Sequence, residues 1–340
     1  MNSNIKDVAR HAAVSISTVS RVMNMPDKVA KETRDKVLNA IRELNYMPNA
    51  LARGLIFKRT KSLGVLIPDI SNMFYSEMLH GMEAAAHEQN YNLILCNTDN
   101  NKTRMMESLS VLKEKQIDGL IFTSEPIYPD YHELFLKLQI PIVLAATHSL
   151  EYDLPSVKVN DVQASYDATE YLIKNGHRQI GMICGSITDQ VTAMPRLQGF
   201  LGALKVHQME ADMEKLVEFG SYKFEDGYHS MHKLLEKYPD ITAVFAAGDE
   251  RALGAISYLH EKGKSVPEDI SVIGFDNLRL SQMSIPKLTT VGQPLYEIGY
   301  LAVEKLDHLI QKEHVPELRT YVDHQIVERQ SVKTRNHESV

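Results

Sequence analysis

A chain of 340 residues is long for one core, so two or three compact units are expected. Apolar residues at 44% and charged residues at 24% are those of an ordinary globular protein. No stretch approaches the roughly 20 apolar residues of a membrane span, which argues against a membrane role. The net charge of −7 speaks against a nucleic-acid binder until its distribution is read. Residues 1–60 hold 11 Lys/Arg against 5 Asp/Glu, and the rest hold 26 against 39. A small basic head on an acidic body concentrates attraction for phosphate in one place. Residues 1–7 lack the apolar core and cleavage site of a secretory signal. Cys96 and Cys184 are far apart and fit neither a disulfide framework nor a zinc site, so a cytoplasmic protein is expected.

Three helical segments are predicted within residues 5–46. The first spans residues 5–12, and a turn at Ala13-Val14-Ser15 leads into the second at residues 16–23, which Ser15 is placed to cap. Val8, Ala12, Val14, Val19 and Val22 fall on the inward side; Ile16, Ser17, Ser20, Arg21 and Asn24 fall outward. The third, residues 31–44, would bury Val37, Ala40, Ile41 and Leu44. A face of hydroxyls and arginine suits a recognition helix, since Arg pairs bidentately with guanine and hydroxyls reach bases or phosphates. Any small three-helix bundle shows comparable faces, so the pattern alone leaves DNA binding open.

Residues 49–55 follow Pro48 and make barely two helical turns, too few to hold in isolation. From Ser62 onward, apolar runs at residues 63–67, 92–96, 119–122, 141–145, 180–184, 243–246 and 271–275 alternate with amphipathic helix-length segments. Unbroken apolar strands between such helices imply parallel sheet buried on both faces. A break near Asn160 implies two doubly wound α/β lobes with a cleft between them. The expected division is a helix-turn-helix head at 1–48 and a hinge helix with its linker at 49–60. A first lobe follows from 61–160 and 292–321, a second from 161–291 and 322–332, then a polar tail at 333–340.

Catalytic signatures are missing from the sequence: there is no dinucleotide or phosphate-binding glycine motif, no His-Glu-x-x-His and no Gly-x-Ser-x-Gly elbow. His229 and His232 lie one helical turn apart without a third ligand nearby. Neither an enzyme, a metal site nor a cofactor is expected.

Residues 5–9, Val14-Ser15-Ile16-Ser17-Thr18-Val19-Ser20-Arg21-Val22-Met23-Asn24, Glu32-Thr33-Arg34 and residues 44–49 closely resemble the head of the LacI/GalR family of bacterial transcriptional regulators. Pro68-Asp69-Ile70-Ser71-Asn72, Gly274-Phe275-Asp276-Asn277 and Leu288-Thr289-Thr290-Val291 extend the resemblance to about Val332. It implies a sequence-specific repressor of carbohydrate-related genes with a body of periplasmic-binding-protein type. It implies base contacts from Ile16, Ser17 and Arg21, and phosphate contacts from Thr18, Asn24, Tyr46 and Asn49. In the hinge it implies that two subunits pair in the minor groove, with Leu55 wedged between base pairs and Ala52 one turn earlier. In the cleft it implies a small-molecule effector, a sugar or sugar derivative, held by Phe74, Tyr75, Arg196, Tyr222 and Asp276.

Several positions depart from the family pattern. Ala13 stands where many relatives have Gly, Ala30 where many have a polar cap, and Gly248 where many have a polar side chain. Asp249 is expected to be only the N-cap of a helix over residues 250–261. Residues 68–75 and 274–280 look close to the catabolite-control branch, whose members answer to a serine-phosphorylated carrier protein. That reading needs a basic residue where Glu304 stands beside Lys305, and a carboxylate repels phosphoserine, so the small-molecule effector is preferred. The tail is too short for a leucine-heptad helix, and a homodimer on a palindromic DNA operator is expected.

Overall fold

The computed structural model describes residues 3–46, 59–314 and 317–335, which divide into a unit up to Lys61 and a unit from Ser62. The predicted hinge, with Asn49, Ala52 and Leu55, lies outside the described residues.

The first unit contains helices Ile5–His11, Ile16–Asn24 and Lys31–Glu43. Asn4 opens the first with a capping box closed by Asp7. The Ser15 hydroxyl accepts from the Thr18 amide and so opens the second. The turn between them runs through Ala13 at φ 53°, a left-handed backbone in which a Cβ is unfavourable. Ala30 offers the third helix no side-chain cap. Val8, Val19, Val22, Val37 and Ala40 form the core, with Val14, Ile41 and Leu44 only partly covered at its edge.

The second unit holds two six-stranded sheets. The strands are β1 (Ser62–Ile67), β2 (Asn92–Asn97), β3 (Gly119–Thr123), β4 (Ile142–Ala145), β5 (Ser156–Val159), β6 (Ile180–Cys184), β7 (Val217–Phe219), β8 (Ala243–Ala246), β9 (Ser271–Asp276), β10 (Thr289–Gly292), β11 (Arg319–Val322) and β12 (Gln325–Val327). One sheet has the order β11-β5-β4-β3-β1-β2 and is parallel throughout; the other has β12-β10-β9-β8-β6-β7, with only β10 and β12 antiparallel. The central strands are buried along their whole length, because helices cover both faces of each sheet. The chain therefore crosses between lobes three times: after β5, between β10 and helix Leu295–Ile310, and between β11 and β12.

Small residues set how closely the covering helices pack. Helices Met73–Glu88 and Leu295–Ile310 meet at Gly81 and Gly299. A Cβ on Gly81 would lie 1.9 Å from the Tyr296 carbonyl oxygen, and one on Gly299 2.0 Å from that of Met78. Gly227 and Gly254 make the equivalent approach between helices Phe224–Lys237 and Asp249–Glu261. Backbone cannot yield as a side-chain tip can, so Gly299→Ala must push two helices apart. Its expected cost is about 1–3 kcal/mol, read as a lower urea midpoint of the full chain; an unchanged midpoint contradicts this packing.

Candidate functional site

Two surfaces carry the residues singled out from sequence. On the second helix of the head, Ile16 is 45% exposed, and Ser17 and Arg21 also face solvent. Ser17 and Thr18 hydroxyls both lie within hydrogen-bond distance of the Ser15 hydroxyl, at 2.7 and 2.8 Å. The cap that starts the helix thus also orients two polar groups at its exposed end. Tyr46 is half-buried against the head core, and Asn24 closes the helix. Among phosphate-contact candidates, Asn49 falls outside the described residues.

The second surface is a cavity of about 760 Å3 in the larger unit, lined from both lobes. Phe74, Tyr75, Arg196, Tyr222 and Asp276 all line it, although they are scattered over some 200 positions of sequence. Asn72 caps helix Met73–Glu88 through the Phe74 amide and so fixes the two rings at its start. Those rings meet edge to face with centroids 5.2 Å apart. Tyr75 is buried, which holds its hydroxyl protonated far above the usual tyrosine range, whereas Phe74 is half-exposed to the cavity. Across the cleft, Tyr222 donates its hydroxyl to Asp189 at 2.5 Å.

Part of the cavity lining is a buried ionic cluster of Lys158, Asp161 and Arg196. Asp161 opens helix Asp161–Lys174 and receives Lys158 Nζ at 2.8 Å on one oxygen and Arg196 Nε at 2.8 Å on the other. Burial alone would raise its pKa, but these two cations hold the carboxyl below the ordinary range. Lys158 also donates to the Val191 carbonyl at 2.9 Å and to His148 Nδ1 at 3.2 Å. Burial and the Lys158 charge push His148 down to about 4, leaving a neutral ring that accepts. Arg196 packs over the Phe275 ring at 3.7 Å and donates to the Ala247 carbonyl at 2.9 Å. Two of its donors are thus engaged with the protein itself rather than offered as an open fork to the cleft.

Asp276 closes β9 at φ 117°, followed by Asn277 at φ 61°. Two consecutive non-glycine residues in the left-handed half of backbone space are strained, and this strain sits where the strand meets the cavity. Gln293 Nε2 donates to Asp276 Oδ1 at 2.7 Å, while Arg196 Nη1 stands 4.0 Å away. Burial outweighs these partners and pushes the Asp276 carboxyl up to about 6. Asp249 departs from expectation. Helix Asp249–Glu261 begins at Asp249 with Gly248 in the cap position, so Asp249 is not the cap. Its carboxylate instead accepts from the Leu278 amide at 2.7 Å and the Thr290 hydroxyl at 2.6 Å, tying the loop after Asp276 to β10. Burial and the Asp276 charge push it well above the usual carboxylate range.

Lys158, Asp161 and Gln293 escaped the sequence reading, and Asp249 entered it only as a cap. One signal was available: Lys158 is a lone charge inside Val157-Lys158-Val159, directly before the break at Asn160. The Asp276 shift also has a consequence for pH. A carboxyl raised in the folded state favours folding most when protonated, below its unfolded value near 3.9, and that contribution is lost as pH rises through about 6. Asp276→Asn is therefore expected to flatten the stability profile between pH 4 and 6 and to gain about 1–3 kcal/mol at pH 7.5. Urea titrations at several pH values measure it, and a slope equal to the wild type's would contradict this assignment.

Comparison with known proteins bears on both surfaces. Residues 4–49 match the model of bacterial regulatory proteins of the lacI family. Residues 60–328 match that of periplasmic binding proteins and the sugar binding domain of the LacI family. Catabolite control protein A of Priestia megaterium is 41% identical over 98% of this chain and 100% of its own. The lac repressor dimer bound to operator and the anti-inducer ONPF superposes with a TM-score of 0.86 at 26% identity, over 98% of this chain and 100% of that one. The transcriptional regulator CelR in complex with cellobiose gives 0.76 at 29% identity, over 97% and 100%. A reader head matched to one family model and a two-lobed body matched to its sugar-binding partner place this chain in the LacI family of bacterial transcriptional regulators.

Proposed function

We propose that the protein is a cytoplasmic repressor that grips a palindromic operator as a homodimer and changes its grip when a sugar or sugar derivative enters the interlobe cavity. The observation that supports this best is the cavity itself, where all five expected effector residues line one space shared by two lobes. Half-exposed aromatic rings beside carboxylates and amide groups suit the apolar faces and hydroxyl edges of a sugar. In the head, Ile16, Ser17 and Arg21 would reach base edges, and Thr18, Asn24, Tyr46 and Asn49 phosphates. Asn49 through Leu55 would fold only against the minor groove, with Leu55 as the wedge and Ala52 one turn earlier. The lac repressor was captured as a dimer on its operator, the arrangement a two-fold site demands. No chemical step is assigned to the cavity, and no cofactor is needed for this role.

Control by a serine-phosphorylated carrier protein is the second reading, supported by likeness to catabolite control protein A. The environment of Lys305 weighs against it. Its ammonium is buried and donates to the Glu317 carbonyl at 2.8 Å and the Thr320 hydroxyl at 2.6 Å, so it is committed to the fold. Glu304 beside it adds repulsion toward phosphate.

Both halves can be tested on the purified full chain. Against a palindrome selected from random DNA, Arg21→Ala should cost about 1–3 kcal/mol and relax one base position, and Leu55→Ala should weaken specific binding while leaving effector binding intact. Operator affinity unchanged in both variants would overturn the head and hinge assignments. A calorimetric screen of neutral and charged sugars should find one whose affinity falls at least ten-fold, about 1.4 kcal/mol, in Phe74→Ala. If no sugar binds while a serine-phosphorylated carrier shifts operator affinity, the second reading takes over.

A further inference from the structure

Asp249 is fully buried and is not among the residues that line the cavity. It opens helix Asp249–Glu261 shortly after β8, and its two oxygens reach toward the next two strands of the sheet. Oδ2 accepts from the Leu278 amide at 2.7 Å, in the loop that follows Asp276 at the end of β9. Oδ1 lies 2.6 Å from the Thr290 hydroxyl on β10. The carboxyl passes so closely over β9 that Gly274 has no room for a Cβ. One side chain thus fixes the turn at Asp276 to the strands on either side.

Among the described residues no cation is in contact with this carboxyl. Arg329, the positive group whose charge reaches it, spends its guanidinium on the Asn277 side chain at 2.6 Å, the Leu288 carbonyl at 2.7 Å and the Ser281 hydroxyl at 3.0 Å. On its own helix, Arg251 donates to the Ala247 carbonyl and Glu250 lines the cavity. The remaining charge that faces it is the carboxyl of Asp276, of like sign. A helix start offers a partial positive charge, but a full negative charge taken out of water without an ion partner costs more than that returns.

The hydrogen bonds have room for a proton. Thr290 Oγ1 is also 3.4 Å from the Val291 carbonyl. Its hydrogen can point there, leaving the hydroxyl oxygen to accept from a protonated Asp249 while Oδ2 still accepts from Leu278. Burial and the Asp276 charge push the Asp249 carboxyl upward, in the same sense. We propose that Asp249 is a neutral positioning acid, which donates to Thr290, accepts from Leu278, and holds the turn of Asp276 while leaving Asp276 as the member of the pair that carries charge. Its bearing on a ligand rests on the reading of the cavity as the effector site: a ligand polar group would meet an Asp276 that no second anion repels.

Asp249→Asn copies the proposed state, with an oxygen for Leu278, an N–H for Thr290 and no proton to lose. Asp249→Ala removes both bonds. Urea titrations of the full chain from pH 5 to 7 compare each variant with the wild type, all three sharing Asp276 and every histidine. A carboxyl that stays protonated in the fold but ionises at about 3.9 in the unfolded chain weakens folding as pH rises. The folding constant of either variant relative to wild type should therefore rise about ten-fold per pH unit, whatever offset the Ala variant carries. A ratio that does not change with pH means an ionised Asp249 and overturns the proposal. Hydrogen exchange at the Leu278 amide reads the positioning: Asp249→Ala should speed it at least ten-fold, and Asp249→Asn should keep the wild-type rate. An amide as slow in the Ala variant as in the wild type removes the positioning role. Both measurements read the protein alone, so their failure is separate from a failure to find a sugar.

Discussion

Asp161 holds a full negative charge inside the protein, and the arrangement of the cleft depends on what neutralises it. Lys158 comes from the last residues of the first lobe, whereas Arg196 comes from helix Ala193–Val206 of the second. Each ion taken out of water costs several kcal/mol unless its partners are close and well aligned. With both contacts at 2.8 Å, the lobes cannot part at this crossover without stranding a buried charge. The same cluster fixes Arg196 against Phe275, and through Arg196 it sets the surroundings of Asp276.

The other crossovers carry polar ties of their own. Gln293, between β10 and helix Leu295–Ile310, holds Asp276. His324, between β11 and β12, meets Asp167 at 2.8 Å. All three places where the chain passes between lobes therefore have a side-chain contact to the second lobe, and two of those contacts involve residues that line the cavity.

The sequence made the lobes readable because parallel strands buried on both faces must be almost continuously apolar, as residues 119–122 and Ile180–Cys184 are. The head was readable for a different reason: caps, turn and apolar spacing all agree over a short span, with Ala13 and Ala30 as local exceptions that packing tolerates. The cavity residues came from resemblance rather than pattern. What stayed hidden was chemistry created by the fold alone. Asp249 looked like an ordinary cap because its true partners, Leu278 and Thr290, are about 30 and 40 positions away. Arg251 is one charge among several in helix Asp249–Glu261, and only the fold shows that it is fully buried.

A ligand shifts a conformational equilibrium only by the difference in its affinity for the two states. Surface contacts to one lobe would give little difference, since they survive any relative movement. Contacts to Asp276 and Arg196 are of another kind, because these groups already hold the ion and hydrogen-bond partners of the crossovers. An effector that draws charge from Arg196, or protonates or ionises Asp276 on binding, alters the same interactions that fix the lobe junction. A ligand that reached these groups would bind on the junction's own electrostatics, and binding and lobe geometry would then be one equilibrium rather than two linked at a distance.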